Sequence, residues 1–267
     1  MVTQEQIAHF QNKVLTWYKA HERYLPWRKT TDPYPILVSE IMLQQTQVDR
    51  VIPYYHRFLK TFPDFKTLAA ANKHTLLSHW SGLGYNNRVL RLQQLAQRIL
   101  TDCKGVFPRT EEELIELPGI GPYTARAVLA FAFNKEVAVI DTNIRRVLIH
   151  ELKLKEDVSM KELEGIALAA VPKGKSRIWH NALMDYGAME KTARKTGIKP
   201  LSKQGHFLGS DRWLRGQIVK TLLAQKEVSL LQFKKMFEHP RFEIVIKKLE
   251  TEGIILIDHK VVKLQSE

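Results

Sequence analysis

The sequence is poor in cysteine, since Cys103 is the single cysteine among 267 residues. One thiol excludes a disulfide framework and a metal site built from four cysteines of this chain. No apolar run is long enough to span a bilayer, and the N-terminal residues lack the pattern of a secretory signal peptide. We therefore expect a soluble, cytoplasmic protein without a membrane partner.

Acidic residues are scarce relative to basic ones. There are 28 Asp and Glu against 41 Lys and Arg, which gives a formal net charge of +13. Such a charge predicts a polyanionic partner, with nucleic acid as the first choice and an anionic membrane surface as the second. A generally basic proteome is the alternative explanation. The hydrophobic content of 44% is ordinary, and the length suffices for one large core or two modest domains.

The stretch from residue 110 to 148 carries most of the recognisable chemistry. Thr110 and Glu113 form a capping-box pattern at the start of a helix. The sequence L-P-G-I-G at 117–121 then breaks that helix, and Pro122 suits the first turn of the next one. A glycine-rich turn that opens onto a helix N-terminus can bind a phosphate through its backbone amides. An ordinary helical hairpin with a glycine turn is the alternative.

An aspartate follows this hairpin about twenty residues later. The apolar run at 137–140 ends abruptly in Asp141, and Ile144, Val147 and Leu148 then resume helical spacing. Asp141 therefore lies at a helix start, where the commonest role of an aspartate is that of an N-cap. The functional alternative is a carboxylate at the mouth of a cleft.

Two upstream segments combine aromatic and basic side chains. Trp27 lies beside Arg28 in a proline-containing loop, and such a pair can clasp nucleic acid or anchor the loop to the core. In the sequence G-L-G-Y-N-N-R, Tyr85 can wedge between bases and Arg88 can meet a phosphate. A packed aromatic residue at a helix start is the alternative for Tyr85.

A helix predicted from Ile36 to Arg50 has polar residues on its apolar face. Gln44 and Gln45 fall on that face, and burial of an unpaired amide costs about 2 kcal/mol or more. The pair is therefore either hydrogen-bonded in the core or part of a helix end that meets a polar ligand. Glu40 flanks the same face, and an isolated glutamate would be assigned to the surface.

The C-terminal residues predict a separate small domain. Helices are expected over 212–225, 228–237 and 242–250, followed by two short strands at 254–257 and 261–264. Three helices and a terminal hairpin form a winged-helix pattern. A linker is expected at 199–205, which divides the chain into domains 1–204 and 205–267. The winged helix either binds DNA or serves as a packing or partner module.

Several ordered motifs resemble those of one known family. L-P-G-I-G-P-Y-T-A followed by V-I-D-T-N-I-R-R-V-L resembles the helix-hairpin-helix plus aspartate signature of the endonuclease III-like DNA glycosylase superfamily. L-P-W-R, S-E-I-M-L-Q-Q-T-Q-V and G-L-G-Y resemble the MutY-type adenine glycosylases within it. The resemblance covers roughly residues 20–190. It implies an all-α, two-lobed helix-hairpin-helix core, to which the α+β winged helix is appended.

The resemblance also implies roles for individual residues. Glu40 would protonate the adenine, Asp141 would stabilise the sugar cation, and Asn143 would orient the carboxylates or the water. Tyr123 occupies the position where bifunctional relatives carry a Schiff-base lysine, so the enzyme is expected to be monofunctional. The residues expected at the DNA are Trp27, Arg28, Leu43, Gln45, Thr46, Leu83, Tyr85, Arg88, Gly119 and Gly121.

The chain also departs from the family pattern. Residues 190–195 stand where most relatives carry cluster-binding cysteines, so we expect no iron–sulfur cluster, no other cofactor and no metal, apart from an optional monovalent cation at the hairpin. The tail does not resemble the β-rich domain that reads 8-oxoguanine in the family, which leaves the opposite base open.

The expected partner is double-stranded DNA with a mispaired or oxidised base pair, bound by a monomer associated with a bacterial nucleoid. Two other functions stay open. One is a thymine or uracil glycosylase for G:T and G:U pairs, against which Glu40 argues because a pyrimidine has no N7 to protonate. The other is a non-catalytic DNA-binding protein.

Overall fold

The computed structural model describes residues 2–199 and 205–265. The described residues form two compact units, one containing residues 2–40 and 108–199 and the other containing residues 41–107 and 205–265. The helices in chain order are α1 (Gln4–His21), a 3₁₀-helix (Pro26–Lys29), α2 (Pro33–Leu43), α3 (Val48–Thr61), α4 (Phe65–Ala69), α5 (Lys73–Trp80), α6 (Asn87–Thr101), α7 (Glu111–Ile115), α8 (Pro122–Phe133), α9 (Thr142–Glu151), α10 (Met160–Ala169), α11 (Ser176–Met189) and α12 (Ala193–Thr196). The tail adds α13 (Asp211–Gln225), β1 (Glu227–Ser229), α14 (Leu230–Met236), α15 (Phe242–Thr251), β2 (Ile255–Asp258) and β3 (Val261–Leu264).

The first unit is organised around α11, which packs against α1, α8 and α9. Its apolar residues join one core with those of α1 and α9, and Phe10 meets Trp179 edge to face with ring centroids 5.2 Å apart. Gly187 allows α11 to approach α9 closely. A Cβ atom at Gly187 would lie 3.0 Å from Cβ of Asn143 and 3.2 Å from its carbonyl oxygen. Asn143 can therefore keep its position on α9 because residue 187 of α11 has no side chain.

A buried histidine supports the segment that leads to α9. The backbone amide of Val139 donates to Nε2 of His180 at 3.3 Å, and Nδ1 of His180 lies 2.8 Å from the carbonyl oxygen of Ser176. Burial lowers the pKa of His180 to about 4, so the ring is neutral at physiological pH. A neutral imidazole can accept the Val139 amide proton while it donates to Ser176.

The second unit combines the helices of residues 41–107 with the tail. Within the tail, β3 lies between β1 and β2 in an antiparallel sheet, with Val228 opposite Val262 and Ile257 also opposite Val262. The order of helices and strands is that of a winged helix, as the sequence predicts. The short strand β1 was not expected, because Glu227–Ser229 carries too little periodicity to separate it from the following helix.

The tail packs on the helices of its own unit. Helix α13 contacts α5, and Nζ of Lys73 donates to the carbonyl oxygen of Gly253 at 3.1 Å. Residues 41–107 and 205–265 thus form one compact unit, and the domain boundary predicted near residue 205 stays a prediction. Positions 200–204 of the predicted linker lie outside the described residues.

Two predicted helices are interrupted. The helix expected over 36–50 ends at Leu43 because Gln45 adopts a left-handed backbone with φ +59°, and α3 begins only at Val48. The sequence also predicts one helix over 65–79, with Leu68, Leu76 and Leu77 in the core. The structure divides it into α4 and α5, and Asn72 caps α5 by accepting from the amide of Thr75 at 2.8 Å. In the part of the chain that the structure describes, no helix combines the length and apolarity needed to cross a membrane.

Candidate active site

Glu40 and Tyr123 form the centre of the candidate site in the first unit. Glu40 lies on α2 with 6% of its surface exposed, and Tyr123 is the second residue of α8. The Tyr123 hydroxyl donates a hydrogen bond to the Glu40 carboxylate. Burial and the nearby Asp141 raise the pKa of Glu40 to about 7, although Tyr123 and Arg28 oppose the rise. Glu40 can therefore hold a proton at neutral pH and release it to a base.

Asp141 is both a helix cap and a second carboxylate beside Glu40. Its Oδ1 accepts from the backbone amide of Ile144 at 2.7 Å, which makes Asp141 the N-cap of α9. Its Oδ2 accepts from Nδ2 of Asn143 at 3.2 Å. Burial raises the pKa of Asp141, while these hydrogen bonds and Arg146 work in the opposite direction. Asp141 can therefore be a helix cap and also a carboxylate of the candidate site, because Oδ1 accepts from Ile144 and Oδ2 accepts from Asn143.

Arg146 connects Asn143 to the segment after α11. Its two terminal nitrogens lie 3.1 and 3.2 Å from Oδ1 of Asn143, and Nη1 also donates to the carbonyl oxygen of Lys191 at 3.1 Å. Asn143 is thus oriented from one side by Arg146, and it presents its amide nitrogen to Asp141. Sequence reasoning missed Arg146, although it is a basic residue in the N-I-R-R sequence directly after Asn143.

Arg28 forms an ion pair with a buried carboxylate. Its terminal nitrogens donate to both oxygens of Asp185 at 2.7 and 2.8 Å, and Asp185 has no exposed surface. Arg23 also donates to Asp185 through its side chain and its backbone amide. The guanidinium of Arg28 thus holds the 3₁₀-helix to α11, and its expected role at the DNA stays a prediction. Trp27 of the same helix is buried.

The hairpin between α7 and α8 has the predicted geometry. Thr110 caps α7 by accepting from the amide of Glu113. Gly119 has φ +81°, a left-handed conformation that favours glycine. Gly121 is the N-cap of α8 and Pro122 is its first residue. The described residues contain no group of three or more His, Cys, Asp and Glu side chains that could hold a metal ion.

Residues expected at the DNA also lie in the second unit. Gln45 and Tyr85 are both exposed, and both adopt a left-handed backbone, with φ values of +59° and +50°. Such conformations are unusual for residues other than glycine and require support from the surrounding structure. Thr46 and Leu43 are half-buried beside Gln45, whereas Leu83 is buried. The side chain of Leu83 therefore belongs to the core.

Arg88 supplies the support for these two turns. Its Nη1 donates to the carbonyl oxygen of Gln44 at 2.7 Å, and its Nη2 donates to that of Gly84 at 2.9 Å. These carbonyls directly precede Gln45 and Tyr85. Arg88 also donates to the carbonyls of Ile41, Met42 and Leu83, so its guanidinium is buried among backbone acceptors. Arg88 thus binds the free carbonyls at the end of α2, and its predicted phosphate contact stays a prediction.

The segment at the expected cluster position is held by ion pairs. Nζ of Lys191 lies 2.9 Å from Oε1 of Glu151, and Nζ of Lys13 lies 2.6 Å from Oε2. Tyr186 donates to the same carboxylate at 3.1 Å. Although burial opposes it, these hydrogen bonds and charges lower the pKa of Glu151 to about 2. Thr192 then caps the short helix α12, which packs on α9.

Comparison with known proteins agrees with this arrangement. The HhH-GPD superfamily base excision DNA repair protein family matches residues 38–173. The adenine DNA glycosylase of Mycolicibacterium smegmatis is 37% identical over 231 residues, which cover 79% of this chain and 79% of that protein. The adenine DNA glycosylase of Homo sapiens is 35% identical over 203 residues, which cover 71% of this chain but 37% of the human protein.

Solved structures extend the comparison to the fold. A thermostable thymine-DNA glycosylase superposes with a TM-score of 0.65 at 30% identity, covering 73% of this chain and 94% of that one. Endonuclease III in a trapped covalent intermediate with DNA superposes with a TM-score of 0.64 at 23% identity, covering 75% and 92%. Motifs, fold and relatives agree, and the chain belongs to the HhH-GPD superfamily of base excision DNA repair proteins.

Proposed function

We propose that this DNA glycosylase removes adenine from duplex DNA in which the adenine is mispaired with 8-oxoguanine or guanine. The single observation that carries the proposal is the buried carboxyl of Glu40, which lies beside Asp141 and accepts a hydrogen bond from Tyr123; burial raises its pKa to about 7. Relatives that match most of the chain are adenine DNA glycosylases. A mispaired adenine is also the cheapest to extrude from the duplex, because unpairing costs it least.

The two carboxylates divide the chemistry. Glu40 donates its proton to N7 of the extruded adenine, so that the bond between C1′ and N9 breaks and neutral adenine leaves. Asp141, whose charged form is favoured by the hydrogen bonds from Ile144 and Asn143, stabilises the cationic sugar, or bonds to C1′ until water replaces it. The water adds its oxygen to C1′ and passes its proton to a carboxylate. Asn143 keeps Asp141 in position through the hydrogen bond at Oδ2.

Tyr123 makes the enzyme monofunctional in this proposal. Its phenol donates to Glu40 and cannot form a Schiff base with the sugar as a lysine would. The product is therefore an abasic site in an intact strand, which breaks only when alkali is added. Borohydride should trap no covalent adduct through the hairpin.

A thymine glycosylase is the second candidate, because a thymine-DNA glycosylase superposes at 30% identity. A thymine leaving group has no N7, so it has no use for a proton on Glu40. The state of Glu40 therefore favours adenine. The two candidates give different released bases, which allows a direct test.

We further propose that the chain works without an iron–sulfur cluster. Lys191 stands at the first cysteine position of the resembling family, and its ion pair with Glu151 tethers the segment to α9. The purified protein should be colourless, contain no iron and keep its activity in chelator. Bound iron together with absorbance in the 400 nm region would contradict this proposal.

The test is a single-turnover glycosylase assay on a panel of duplexes. The panel pairs adenine with 8-oxoguanine, guanine, cytosine or thymine, and includes G:T and G:U. We expect free adenine from the first two pairs, no strand break before alkali, and loss of the signal in Glu40→Gln. Release of thymine or uracil without adenine would overturn the proposal and select the second candidate.

A further inference from the structure

Tyr85 is an exposed aromatic residue at the tip of a strained turn. Its side chain is 43% exposed, its φ is +50°, and the turn is bounded by Gly82 with φ +107° and Gly84 with φ +74°. A Cβ atom at Gly82 would collide with the hydroxyl oxygen of Tyr54. A rigid turn that presents an aromatic ring to solvent, in a protein of net charge +13, has the features of a base-stacking element.

A residue of the tail binds this ring. Nη1 of Arg212 donates to the hydroxyl oxygen of Tyr85 at 2.8 Å, and the guanidinium carbon lies 5.8 Å from the ring centroid. Arg88 lies 5.6 Å from the same centroid. The phenol is thus oriented by a tail residue 127 positions away in sequence. This contact requires the tail to be docked, because Arg212 belongs to α13.

A second tail contact holds the same turn two residues further on. The side chain of Asn87 donates a hydrogen bond to Glu252, which also receives both terminal nitrogens of Arg215. The Oδ1 atom of Asn87 is buried without a partner among the described residues, so the amide depends on Glu252 for its buried hydrogen bond. The tail therefore grips the turn at Tyr85 and at Asn87.

We propose that Arg212 is a positioning residue for Tyr85, and that the winged-helix tail thereby controls how the enzyme stacks against the base pair it inspects. A preset ring loses little conformational freedom when it enters the base stack, so binding of the target pair gains affinity relative to other pairs. The inference rests on the proposed function, because it assigns the tail a part in recognising the same duplex. It differs from a simple phosphate contact, which would act without Tyr85.

The experiment compares Arg212→Ala, Tyr85→Phe and the double variant in the full chain. Tyr85→Phe keeps the aromatic ring and removes only the hydroxyl that accepts the hydrogen bond from Arg212. Arg241→Ala is the matched control, because it removes a tail arginine that pairs with Asp211 at 3.3 Å and is not among the partners of Tyr85. The probe is a duplex containing adenine opposite 8-oxoguanine, with 2-aminopurine next to the 8-oxoguanine to report unstacking.

We expect Arg212→Ala and Tyr85→Phe each to lower the 2-aminopurine signal and the preference for the target pair about fivefold, as for one hydrogen bond. The double variant should be no worse than either single variant, and Arg212→Lys should restore part of the signal. Effects that multiply in the double variant, or an unchanged 2-aminopurine signal, would overturn the proposal. Adenine release by the unmodified enzyme tests the proposed function separately.

Discussion

The hydroxyl of Tyr123 donates a hydrogen bond to the carboxylate of Glu40, which burial and Asp141 otherwise push toward the neutral form. The hydrogen bond favours the ionised carboxylate and so limits the rise in the pKa of Glu40. A phenol in this position can therefore tune the acid. The hydrogen bond thus keeps the pKa of Glu40 close to neutral pH, and a general acid is most effective when its pKa lies near the working pH.

The first prediction concerns the pH dependence of excision. The single-turnover rate should fall as pH rises above about 7, because Glu40 then loses its proton. The rate should also fall at acidic pH, because Asp141 is then protonated; burial raises the pKa of Asp141, so this loss begins at a higher pH than for an ordinary aspartate. In Tyr123→Phe the pKa of Glu40 should rise, so the alkaline limb should move to higher pH. A limb that stays in place or moves to lower pH would show that Glu40 is not the group that titrates.

The second prediction separates catalysis from helix capping at Asp141. Asp141→Asn keeps an oxygen that can accept from the Ile144 amide, so the melting temperature should change little. The negative charge is lost, and single-turnover excision should fall about 10²-fold or more. Thr110→Ala removes a cap of α7 and serves as the control for capping alone. If Asp141→Asn has a lower melting temperature but a normal excision rate, Asp141 is only a helix cap.

The third prediction concerns stability and Glu40. Its folded-state pKa lies above the ordinary value, so the folded protein binds the extra proton and loses stability as pH rises from about 4.5 through about 7. That difference corresponds to about 3 kcal/mol at most. Glu40→Gln should therefore be more stable than the unmodified protein at pH 8, with little difference at pH 4.5. Equal unfolding free energies at both pH values would contradict the burial of an ionisable carboxyl.

The fourth prediction tests the ion pairs around Glu151. Its carboxylate is almost fully buried between Lys13 and Lys191, and its pKa of about 2 means that its stabilisation is present above pH 4.5 and is lost as pH falls toward 2. Glu151→Gln should lower the melting temperature at pH 7 by several degrees, and by less at pH 3.

The matched control for that variant is Glu190→Gln, which removes an exposed pair with Lys195 at 3.5 Å. We expect little change there, because exposed pairs contribute about 0–1 kcal/mol. If the two variants melt alike at pH 7, Glu151 does not anchor the segment after α11.

Local patterns predicted the elements, and long-range contacts decided the side-chain roles. The capping pattern at Thr110 and the apolar spacing of residues 242–250 were sufficient to predict α7 and α15. Arg28 and Asp185 are 157 positions apart, so no local pattern connects them. From the sequence alone, Arg28 beside Trp27 is typical of a nucleic-acid contact. Only the structure shows that its guanidinium donates to the buried Asp185. The contacts of Arg88 were hidden for the same reason, because the carbonyls of Ile41, Met42 and Gln44 that accept from it lie 44 to 47 positions earlier.

The left-handed turns at Gln45 and Tyr85 were also hidden from the sequence. Neither residue is a glycine, and the conformation is imposed from outside by Arg88. The sequence did indicate Glu40, Asp141, Tyr123 and Asn143, because their family motifs are local. The structure places these four in one unit and links Tyr123 to Glu40 and Asn143 to Asp141.

The close approach at Gly187 has a consequence for how this repair enzyme can fail. A methyl group there would press on Asn143 and Val147, the two residues nearest to its position, and neither of them carries a carboxylate. We therefore expect Gly187→Ala to keep its affinity for DNA but to cut the glycosidic bond more slowly, because Asn143 is displaced. The defect of such a variant would therefore appear in the rate of base release and not in a DNA-binding assay.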